Sequence, residues 1–401
     1  MSTPGSTNAT GAPGALILGG AHGTIALARA LRAEGHTVWL VTDDTPLPRF
    51  SNAIARTFDW PGSGSAEGVG FLLDLAEAHG LEGWVLIPAA DGDVRFASRN
   101  HAALSRAFHV LVPEWLALEI ACDKGLAYRR AMELGLAVPT IHRIDFSREG
   151  SSGGLAFPVV IKPAMRLGRN RLTLDKAWRA DDEESFARLY REAVELVGAE
   201  QVVVQELVPG DGNHQLSYAG LWWHGEPVVD FTARRARQFP LEFSYTSTYV
   251  ETAETGDVCA AAHTFLRSIG HHGLVEVEFK RDERSGVLKL LDINPRPWSW
   301  LALASVAGVD FGKAIAALMR GETVPAMRAR QGVGWLFLTR DVVAAWQMVM
   351  MGKLSAGAYL ASLGRVRVLA TLDWRDPRPG LIEIPLTLLR AIKRRRALKR
   401  K

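Results

Sequence analysis

The stretch LKLLDINPRPW contains three polar residues, two positions apart, where an apolar run ends. They are Asp292, Asn294 and Arg296. Successive side chains of a strand point to opposite faces, so these three share one face, while Leu291 and Ile293 point to the other. The sequence therefore predicts a carboxylate, an amide and a guanidinium side by side at the end of a strand.

A preceding run, GLVEVEFKR, has the same alternation and supplies two more carboxylates, Glu276 and Glu278. If the two runs pair as a hairpin, up to three carboxylates lie in one small region, and they cannot all ionise cheaply unless a cation neutralises them. Oxygen donors without Cys or His suit magnesium, which also binds substrate phosphates. The neighbouring arginine suits a phosphate or a carboxylate. A ladder of surface ion pairs between two strands would show the same spacing.

Two further motifs carry polar residues at strand ends. Lys162 ends the apolar strand VIKP, although a lysine there is often only a strand-edge residue that extends its charge to solvent. In QELVPG, Glu206 is followed by a short apolar linker that could offer backbone groups and one carboxylate to a planar base. An ordinary strand end would look similar.

Composition indicates a soluble globular protein, because 48% of the 401 residues are hydrophobic and 22% are charged. This length favours two or three domains. Cys122 and Cys259 are too few for a disulfide framework and lack metal-ligand spacing, so we expect a reducing, cytoplasmic compartment. No apolar run is long enough to span a membrane.

Both ends of the chain are polar. Residues 1–14 are expected to form a disordered tail. The run RAIKRRRALKRK at 390–401 holds eight Lys or Arg residues and is typical of a solvated tail, with weak contact with an anionic membrane surface as an alternative. Nucleic-acid binding is not expected, because the charge is confined to this tail and no recognised motif accompanies it.

The alternation of strand and helix signals changes along the chain. Residues 15–112 predict βαβ units and a small doubly wound parallel sheet. Residues 113–320 include strand-rich hairpins and predict an α+β domain, in which TIHRI and PVVIKP form a strand pair and Asp181 or Asp182 caps a helix. Residues 321–401 predict a helical C-terminal region that ends in the basic tail. The predicted fold class is α/β.

In their order along the chain, five motifs resemble those of the ATP-grasp superfamily of ATP-dependent carboxylate–amine ligases and related carboxylases, and are most similar to its carbamoyl-phosphate-synthase-like members. They are CDK (122–124), VIKP (160–163), QELVPG (205–210), EVEF (276–279) and DINPR (292–296). The resemblance covers roughly residues 15–320. It implies a pre-ATP-grasp domain at 15–112, an ATP-grasp domain at 113–320 and a helical C-terminal extension.

The resemblance also implies roles for individual residues. It places the two lysines Lys124 and Lys162 at the nucleotide phosphates, with Lys162 also near the adenine. Glu206 and the backbone of Leu207 and Val208 would face the adenine edge, with Gln205 beside them.

For the remaining site residues, the resemblance implies that Asp211 or His214 lies near the ribose. Glu278 and Asp292 would bind magnesium, or manganese as an alternative ion, with Asn294 completing the site. Arg296 would stabilise the acyl phosphate and its transition state.

The sequence departs from the family pattern in two places. The loop that covers the phosphates is usually glycine-rich, whereas AMRLGRNRL at 164–172 has one Gly and three Arg. Arginine charge could replace glycine backbone amides there. Asp292 stands where Glu is more common, which shortens the metal ligand by one methylene.

The implied reaction uses ATP to activate a small-molecule carboxylate as an acyl phosphate, which an amine (or a thiol) then attacks. Arg234, Arg235 and Arg237 are candidates for a second phosphate or the substrate carboxylate, or else form a solvated basic edge. A homodimer is left open, as are the identities of both substrates.

Two other function classes compete. The turn GGAHG (19–23) follows the first strand, and Asp43 or Asp44 ends the second, as in NAD(P)-dependent oxidoreductases, although the spacing is not G-x-G-x-x-G. An inactive ATP-grasp scaffold is the third class, and the retained lysines and metal-type carboxylates argue against it.

Overall fold

The computed structural model describes residues 14–43, 47–142, 144, 155–165, 167, 170–241 and 246–387. The predicted basic tail, residues 1–13 of the predicted N-terminal tail, and Asp44 lie outside these residues. So do three positions of the loop at 164–172.

A five-stranded parallel sheet begins the fold. Its strands are β1 (Ala15–Leu18), β2 (Val38–Thr42), β3 (Arg56–Asp59), β4 (Trp84–Pro88) and β5 (Phe108–Val110). Its helices are α1 (His22–Ala33), α2 (Gly68–His79), α3 (Asp91–Arg99) and α4 (His101–Leu104). The strand order β3-β2-β1-β4-β5 confirms the predicted doubly wound sheet. The sequence did not reveal β3, a four-residue edge strand with no buried residue.

A smaller sheet of four strands follows helices α5 (Trp115–Cys122) and α6 (Lys124–Glu133). Its strands are β6 (Ile141–His142), β7 (Val159–Pro163), β8 (Trp178–Ala180) and β9 (Val202–Glu206), in the order β6-β9-β7-β8. The predicted pairing of β6 with β7 is wrong, because β9 lies between them and pairs with both.

Two helices connect strands of this smaller sheet. Helix α7 (Arg171–Asp175) lies between β7 and β8 in the sequence, and α8 (Glu183–Val197) lies between β8 and β9. Asp182 caps α8 in a capping box with Ser185, and this cap is one of the two alternatives that the sequence predicted.

The larger sheet carries the two strands with the polar alternation. Its strands are β10 (Gln215–Trp223), β11 (Glu226–Phe239), β12 (Thr246–Thr252), β13 (Gly273–Arg281), β14 (Leu288–Asn294), β15 (Gly334–Leu336) and β16 (Val366–Leu369). Their order is β14-β13-β10-β11-β12-β15-β16. The hairpins β10–β11 and β13–β14 are antiparallel, as predicted. Strands β12, β15 and β16 were not predicted.

The remaining helices pack around this sheet. They include α9 (Gly256–Ser268), α10 (Ala302–Ala307), α11 (Phe311–Met319), α12 (Leu338–Met350) and α13 (Ala356–Leu363). Residues 378–387 are also helical. The predicted helical C-terminal region is therefore present, and it also adds β15 and β16 to the sheet. The boundaries at residues 112 and 320 stay predictions. Within the described residues, no helix combines the length and apolar character that crossing a bilayer requires.

The largest apolar core joins the N-terminal sheet to the larger sheet through α1, α10 and α11. Trp298 and Trp300 are each 1% exposed and pack in this core. Trp298 contacts Phe311 with ring centroids 5.3 Å apart, and Trp300 contacts Phe231 at 5.7 Å. The segment that follows β14 is therefore held by core packing, which fixes the position of Arg296.

Close packing of α11 on α1 makes Gly312 sensitive to substitution. A Cβ atom at Gly312 would lie 2.5 Å from the backbone carbon of Ala30. We expect Gly312→Ala to lower the free energy of unfolding by about 1–3 kcal/mol, because the helices must move apart. Urea denaturation of the full chain measures this change.

Gly357→Ala is the matched control, since Gly357 also lies in a helix, α13, and a Cβ there would meet no atom within 4 Å. Ala is the better helix former, so this variant should gain about 0.5–1 kcal/mol. Equal changes in the two variants would contradict the packing described for α1 and α11.

Candidate active site

The antiparallel pairing of β13 with β14 brings the predicted carboxylates together. Glu278 lies opposite Asp292, and Glu276 lies opposite Asn294. Asn294 Nδ2 lies 3.0 Å from Glu278 Oε1 and 3.4 Å from Glu276 Oε2. Directly opposed residues of an antiparallel pair share a face. The two strands therefore present three carboxylates and an amide on one face, as the alternation predicted.

Leu291 does not follow the predicted alternation. The register shifts between Glu278 and Phe279, so Phe279 pairs with Leu290. Leu290 is fully buried in the core beneath the sheet together with Ile293, whereas Leu291 is partly exposed and lines the cleft. Such a bulge places one extra residue on one strand. Leu291 and Ile293 were predicted to lie on the other face of the strand from Asp292. This prediction holds for Ile293 and is wrong for Leu291.

The two glutamates of β13, of which Glu276 is buried and Glu278 is partly exposed, differ in charge state. Burial and the nearby charge of Glu278 raise the pKa of Glu276 to about 7. Burial also acts to raise the pKa of Glu278, but the Arg235 guanidinium beside it, together with Lys176, holds that pKa below its usual value. Glu276 also accepts hydrogen bonds from Ser217 Oγ and Trp300 Nε1, each at 3.1 Å. Glu278 is thus ionised at neutral pH, whereas Glu276 exchanges its proton near neutral pH.

Lys124 and Lys162 reach the same region from two different elements. Lys124 is the first residue of α6, and its Nζ donates to Asp292 Oδ1 at 2.9 Å. Lys162 on β7 is 8% exposed, and its Nζ lies 2.7 Å from Tyr128 Oη. Tyr128 lies one helical turn after Lys124 and donates to the carbonyl of Leu291 at 2.8 Å. Tyr128 therefore links Lys162 to β14, and Lys124 reaches β14 directly through Asp292.

Sequence reasoning did not single out Tyr128, although its spacing of four from Lys124 on a predicted helix was a usable signal. Its hydroxyl also lies 3.1 Å from Gln205 Oε1. Burial and the charges of Asp292 and Glu278 raise the pKa of Tyr128 well above its ordinary value. Tyr128 therefore remains a neutral phenol that can donate a hydrogen bond.

The predicted adenine-binding segment begins at the end of β9. Gln205 is buried, and Glu206, Leu207 and Val208 line the cleft. The N–H of Leu207 donates to the Pro158 carbonyl at 3.2 Å, so this donor is already used. The predicted backbone contact with adenine would then use the Leu207 carbonyl and the backbone of Val208.

The Glu206 carboxylate is held by neighbouring groups. It accepts from the Thr140 N–H at 2.9 Å and forms an ion pair with Lys289. Burial acts to raise the pKa of Glu206, and the bond from Lys289 outweighs it, so the pKa is lowered. Contact with adenine through this side chain would compete with Lys289.

Asp211 and His214 form one pair rather than two separate contacts with the cleft. Asp211 lines the cleft, and its Oδ1 lies 2.9 Å from His214 Nδ1. His214 is not among the residues that line the cleft. Of the two candidates for the ribose position, the structure therefore favours Asp211.

Arg296 lies beyond the end of β14 and contacts the N-terminal domain. It forms an ion pair with Asp91 at the start of α3, and its Nη2 donates to Asn294 Oδ1 at 3.4 Å. Burial acts to lower the pKa of Arg296, and Asp91 more than offsets it, so the guanidinium stays charged. An anion that binds Arg296 must share or displace Asp91, a residue 205 positions away in the sequence.

The three arginines of β11 have different partners. Arg235 is 6% exposed, donates to Ser247 Oγ at 2.8 Å and pairs with Glu278. Arg234 pairs with Glu251, and Arg237 pairs with Asp341. Only Arg235 of the three contacts a predicted metal ligand, so it is the one that the geometry supports as a phosphate-binding candidate.

The glycine turn after β1 serves packing. A Cβ at Gly23 would lie 2.6 Å from the Trp298 carbonyl oxygen, so the start of α1 abuts the backbone that follows Arg296. His22 in the same turn lies 2.7 Å from Glu383 Oε1 of the C-terminal region. These contacts give the turn a packing role in this fold.

Two cavities meet at the carboxylates. A cleft of about 450 Å³ lies between the four-stranded and seven-stranded sheets and is lined by Lys162, the segment from Gln205 to Gly212, and Glu278. A pocket of about 40 Å³ is lined by Asp91, Arg95, Cys122 and Arg296. Lys124 and Asp292 line both cavities. A molecule in the cleft can therefore place one end beside a molecule in the pocket.

Two carboxylates of the candidate site are suitable ligands for magnesium. Glu278 and Asp292 are opposed across the β13–β14 ladder, and hard oxygen donors of this kind suit the ion. The Asn294 amide oxygen faces Arg296 instead, while its Nδ2 faces the glutamates. Asn294 would have to turn its amide to complete the site as predicted. The oxygen and the NH₂ group of an amide are nearly equal in size, so a turned Asn294 amide is compatible with the fold.

Comparison with known proteins gives one family and several similar structures. Residues 222–336 match the family model described as "ATP-grasp in the biosynthetic pathway with Ter operon". This segment holds the motifs EVEF and DINPR. No curated protein sequence matches the chain significantly.

Three solved structures show the extent of the structural likeness. Rhizobium etli pyruvate carboxylase superposes with a TM-score of 0.59 at 16% identity, over 78% of this chain and 29% of its own length. A second similar structure is the biotin carboxylase domain of the Hydrogenobacter thermophilus 2-oxoglutarate carboxylase, in complex with MgADP, ADP and bicarbonate. Its TM-score is 0.60 at 14% identity, and the match covers 80% of this chain and 72% of that chain. The L-amino acid ligase of Bacillus licheniformis has a TM-score of 0.58 at 14% identity, and the match covers 78% of this chain and 77% of that chain.

The chain spans less than a third of the pyruvate carboxylase, and about three-quarters of the other two chains. Identities this low establish the fold and leave the activity to be argued from the site. Together with the family model, the doubly wound first domain and the two sheets around the cleft show that the chain has the fold of the ATP-grasp superfamily.

Proposed function

We propose that the protein is an ATP-dependent carboxylate–amine ligase that forms an acyl phosphate and then an amide, with a thiol as an alternative acceptor. The observation that carries the proposal is the meeting of the two cavities at Lys124 and Asp292. The larger cleft has the volume and lining for a nucleotide, and the smaller pocket has Arg296 for a carboxylate. The ATP-grasp fold supports the assignment of ATP.

In this proposal, the adenine lies against Leu207 and Val208, and the phosphates extend toward Lys162 and Lys124. Magnesium held by Glu278 and Asp292 would offset the negative charge of the phosphates. The Lys124 ammonium, which pairs with Asp292, stands where the terminal phosphate meets the smaller pocket. Positioning and charge neutralisation are the main tasks of a protein in phosphoryl transfer.

Arg296 orients the substrate carboxylate in the smaller pocket. A carboxylate oxygen forms a bond to the γ-phosphorus as the bond from that phosphorus to the β–γ bridging oxygen breaks, and ADP leaves. The amine then bonds to the acyl carbon, inorganic phosphate leaves, and the amine gives up a proton to water. No nucleophilic side chain is needed, since no covalent enzyme intermediate forms.

The direct test is an ADP-release screen of amino acids and other small carboxylates, with amines, in the presence of Mg-ATP. We expect ADP to form only when both a carboxylate and ATP are present. ATP binding without turnover across a broad panel would favour an inactive scaffold. Tight NADH binding without ATP binding would instead establish the oxidoreductase alternative.

Lys162→Met tests the phosphate-binding role. We expect the KM for ATP to rise by about 10- to 100-fold, because a hydrogen bond to a charged group contributes about 1.5–3 kcal/mol. Lys313→Met is the control, since Lys313 is an exposed lysine of α11 away from the cleft. An unchanged KM for ATP in the Lys162 variant would remove this lysine from the nucleotide site.

A further inference from the structure

A second polar cluster lies on the opposite face of the larger sheet. Helix α9 packs there on β10 and β11. Cys259 and His263 are four residues apart on α9, so their side chains lie one turn apart on one face. Asp230 on β11 pairs with Gly220 on β10. Gly220 is two positions after Tyr218, so Asp230 and Tyr218 lie on the same face of the sheet, which is the face that α9 covers. The carboxylates of the candidate active site occupy the other face of the sheet.

The three side chains converge on one point. His263 Nε2 lies 2.6 Å from Asp230 Oδ2 and 3.6 Å from Cys259 Sγ, and the three ligand atoms are all within 4.8 Å of one another. Ligands of a tetrahedral zinc ion, about 2.0–2.3 Å from the metal, lie about 3.3–3.8 Å from each other. The sulfur–nitrogen distance already fits, and the carboxylate must move back by about 1 Å to admit an ion.

Neighbouring aromatic side chains hold the cluster in place. The Tyr218 hydroxyl donates to Asp230 Oδ2 at 2.8 Å, and Trp222 Nε1 donates to the Tyr218 oxygen at 2.8 Å. The His263 ring packs edge-on against Tyr218 and Trp222, with centroids 5.5 and 5.4 Å away. Groups that orient ligands in this way are a regular feature of metal sites.

We propose that Asp230, Cys259 and His263 bind a zinc-type divalent transition-metal ion, with water in the fourth position. The thiolate and imidazole ligands favour such an ion over magnesium. All three residues are partly exposed, so an ion can reach them from solvent. Cys259 and His263 lie on α9, whereas the third proposed ligand, Asp230, lies on β11, so the spacing of the cysteines along the chain does not reveal the cluster.

This site is independent of the proposed ligase activity. An ion there would join α9 to β11 on the back of the sheet whose front carries Glu278. Because the ion binds only the folded chain, it would raise the melting temperature.

The test is titration of the full-length protein with Co²⁺, which gives a thiolate-to-cobalt charge-transfer absorption when a cysteine binds it. We expect one equivalent of Co²⁺ per chain to produce this band and Zn²⁺ to displace it. Cys259→Ser should abolish the band. Tyr218→Phe, which removes the hydrogen bond to Asp230, should weaken Co²⁺ binding by about 10- to 100-fold.

Cys122→Ser is the matched control, because Cys122 lines the small pocket beside Asp292, where cobalt could replace magnesium. This variant should keep the band. Loss of the band in Cys122→Ser, its persistence in Cys259→Ser, or no band in the unmodified protein would overturn the proposal. If circular dichroism shows that Cys259→Ser does not fold, Asp230→Asn takes its place. If Zn²⁺ then raises the melting temperature of Asp230→Asn as much as that of the unmodified protein, the proposal is overturned.

Discussion

Replacing Asp292 by Asn is expected to lower the kcat of ADP release by about 10³-fold. A metal ligand supplies several kcal/mol of charge stabilisation in phosphoryl transfer, and each 1.36 kcal/mol corresponds to a tenfold change in rate. Asp292 also holds Lys124 at 2.9 Å at the junction of the two cavities. Asparagine keeps the shape of the side chain and removes its charge. Steady-state kinetics with saturating Mg-ATP measures the effect.

Asp257→Asn is the matched control for this substitution. Asp257 is also an ion-paired aspartate, bound to Arg281 at 2.6 Å, but it lies at the start of α9 and lines neither cavity. Its replacement should leave kcat unchanged. Equal turnover by the Asp292 variant and the unmodified protein would remove Asp292 from the metal site.

Replacing Asp341 by Asn is expected to lower the free energy of unfolding by about 3–5 kcal/mol, because it leaves a buried charge without its partner. Asp341 on α12 accepts two bonds of 2.9 Å from Arg237, and the two side chains are 0% and 3% exposed. The Arg237 guanidinium also lies 4.2 Å from the centre of the Tyr249 ring. Urea denaturation measures the change.

The control for Asp341 is Glu322→Gln, which breaks an exposed ion pair with Arg320. Surface pairs of this kind contribute little, so its denaturation midpoint should stay unchanged. A similarly small shift in the Asp341 variant would show that the buried pair does not hold α12 on the larger sheet.

The sequence predicted those parts of the site that depend on local periodicity. Alternation along EVEF and DINPR predicted that Glu278 and Asp292 face the same side, and the register confirms it. The doubly wound first domain and the ATP-grasp fold were predicted from strand and helix signals and motif order, and both are confirmed. The assigned roles of Lys124, Lys162 and Arg296 stay predictions.

Features that depend on contacts between distant segments were not predictable. The bulge that turns Leu291 into the cleft arises from strand pairing, and alternation within one strand contains no information about it. The pairing of Arg296 with Asp91 joins two domains. Strand β15 has only three residues, all buried, so it shows no alternation and is recognised by its pairing with β12 and β16.

In the proposed mechanism, ATP activates a carboxylate as an acyl phosphate. Once the screen identifies a substrate, the most direct measurement uses that substrate with its carboxylate labelled with ¹⁸O. The proposed chemistry transfers one carboxylate oxygen to phosphate, so one ¹⁸O atom should appear in the inorganic phosphate for each ADP released. Unlabelled phosphate, or release of AMP and pyrophosphate instead of ADP, would contradict the claim.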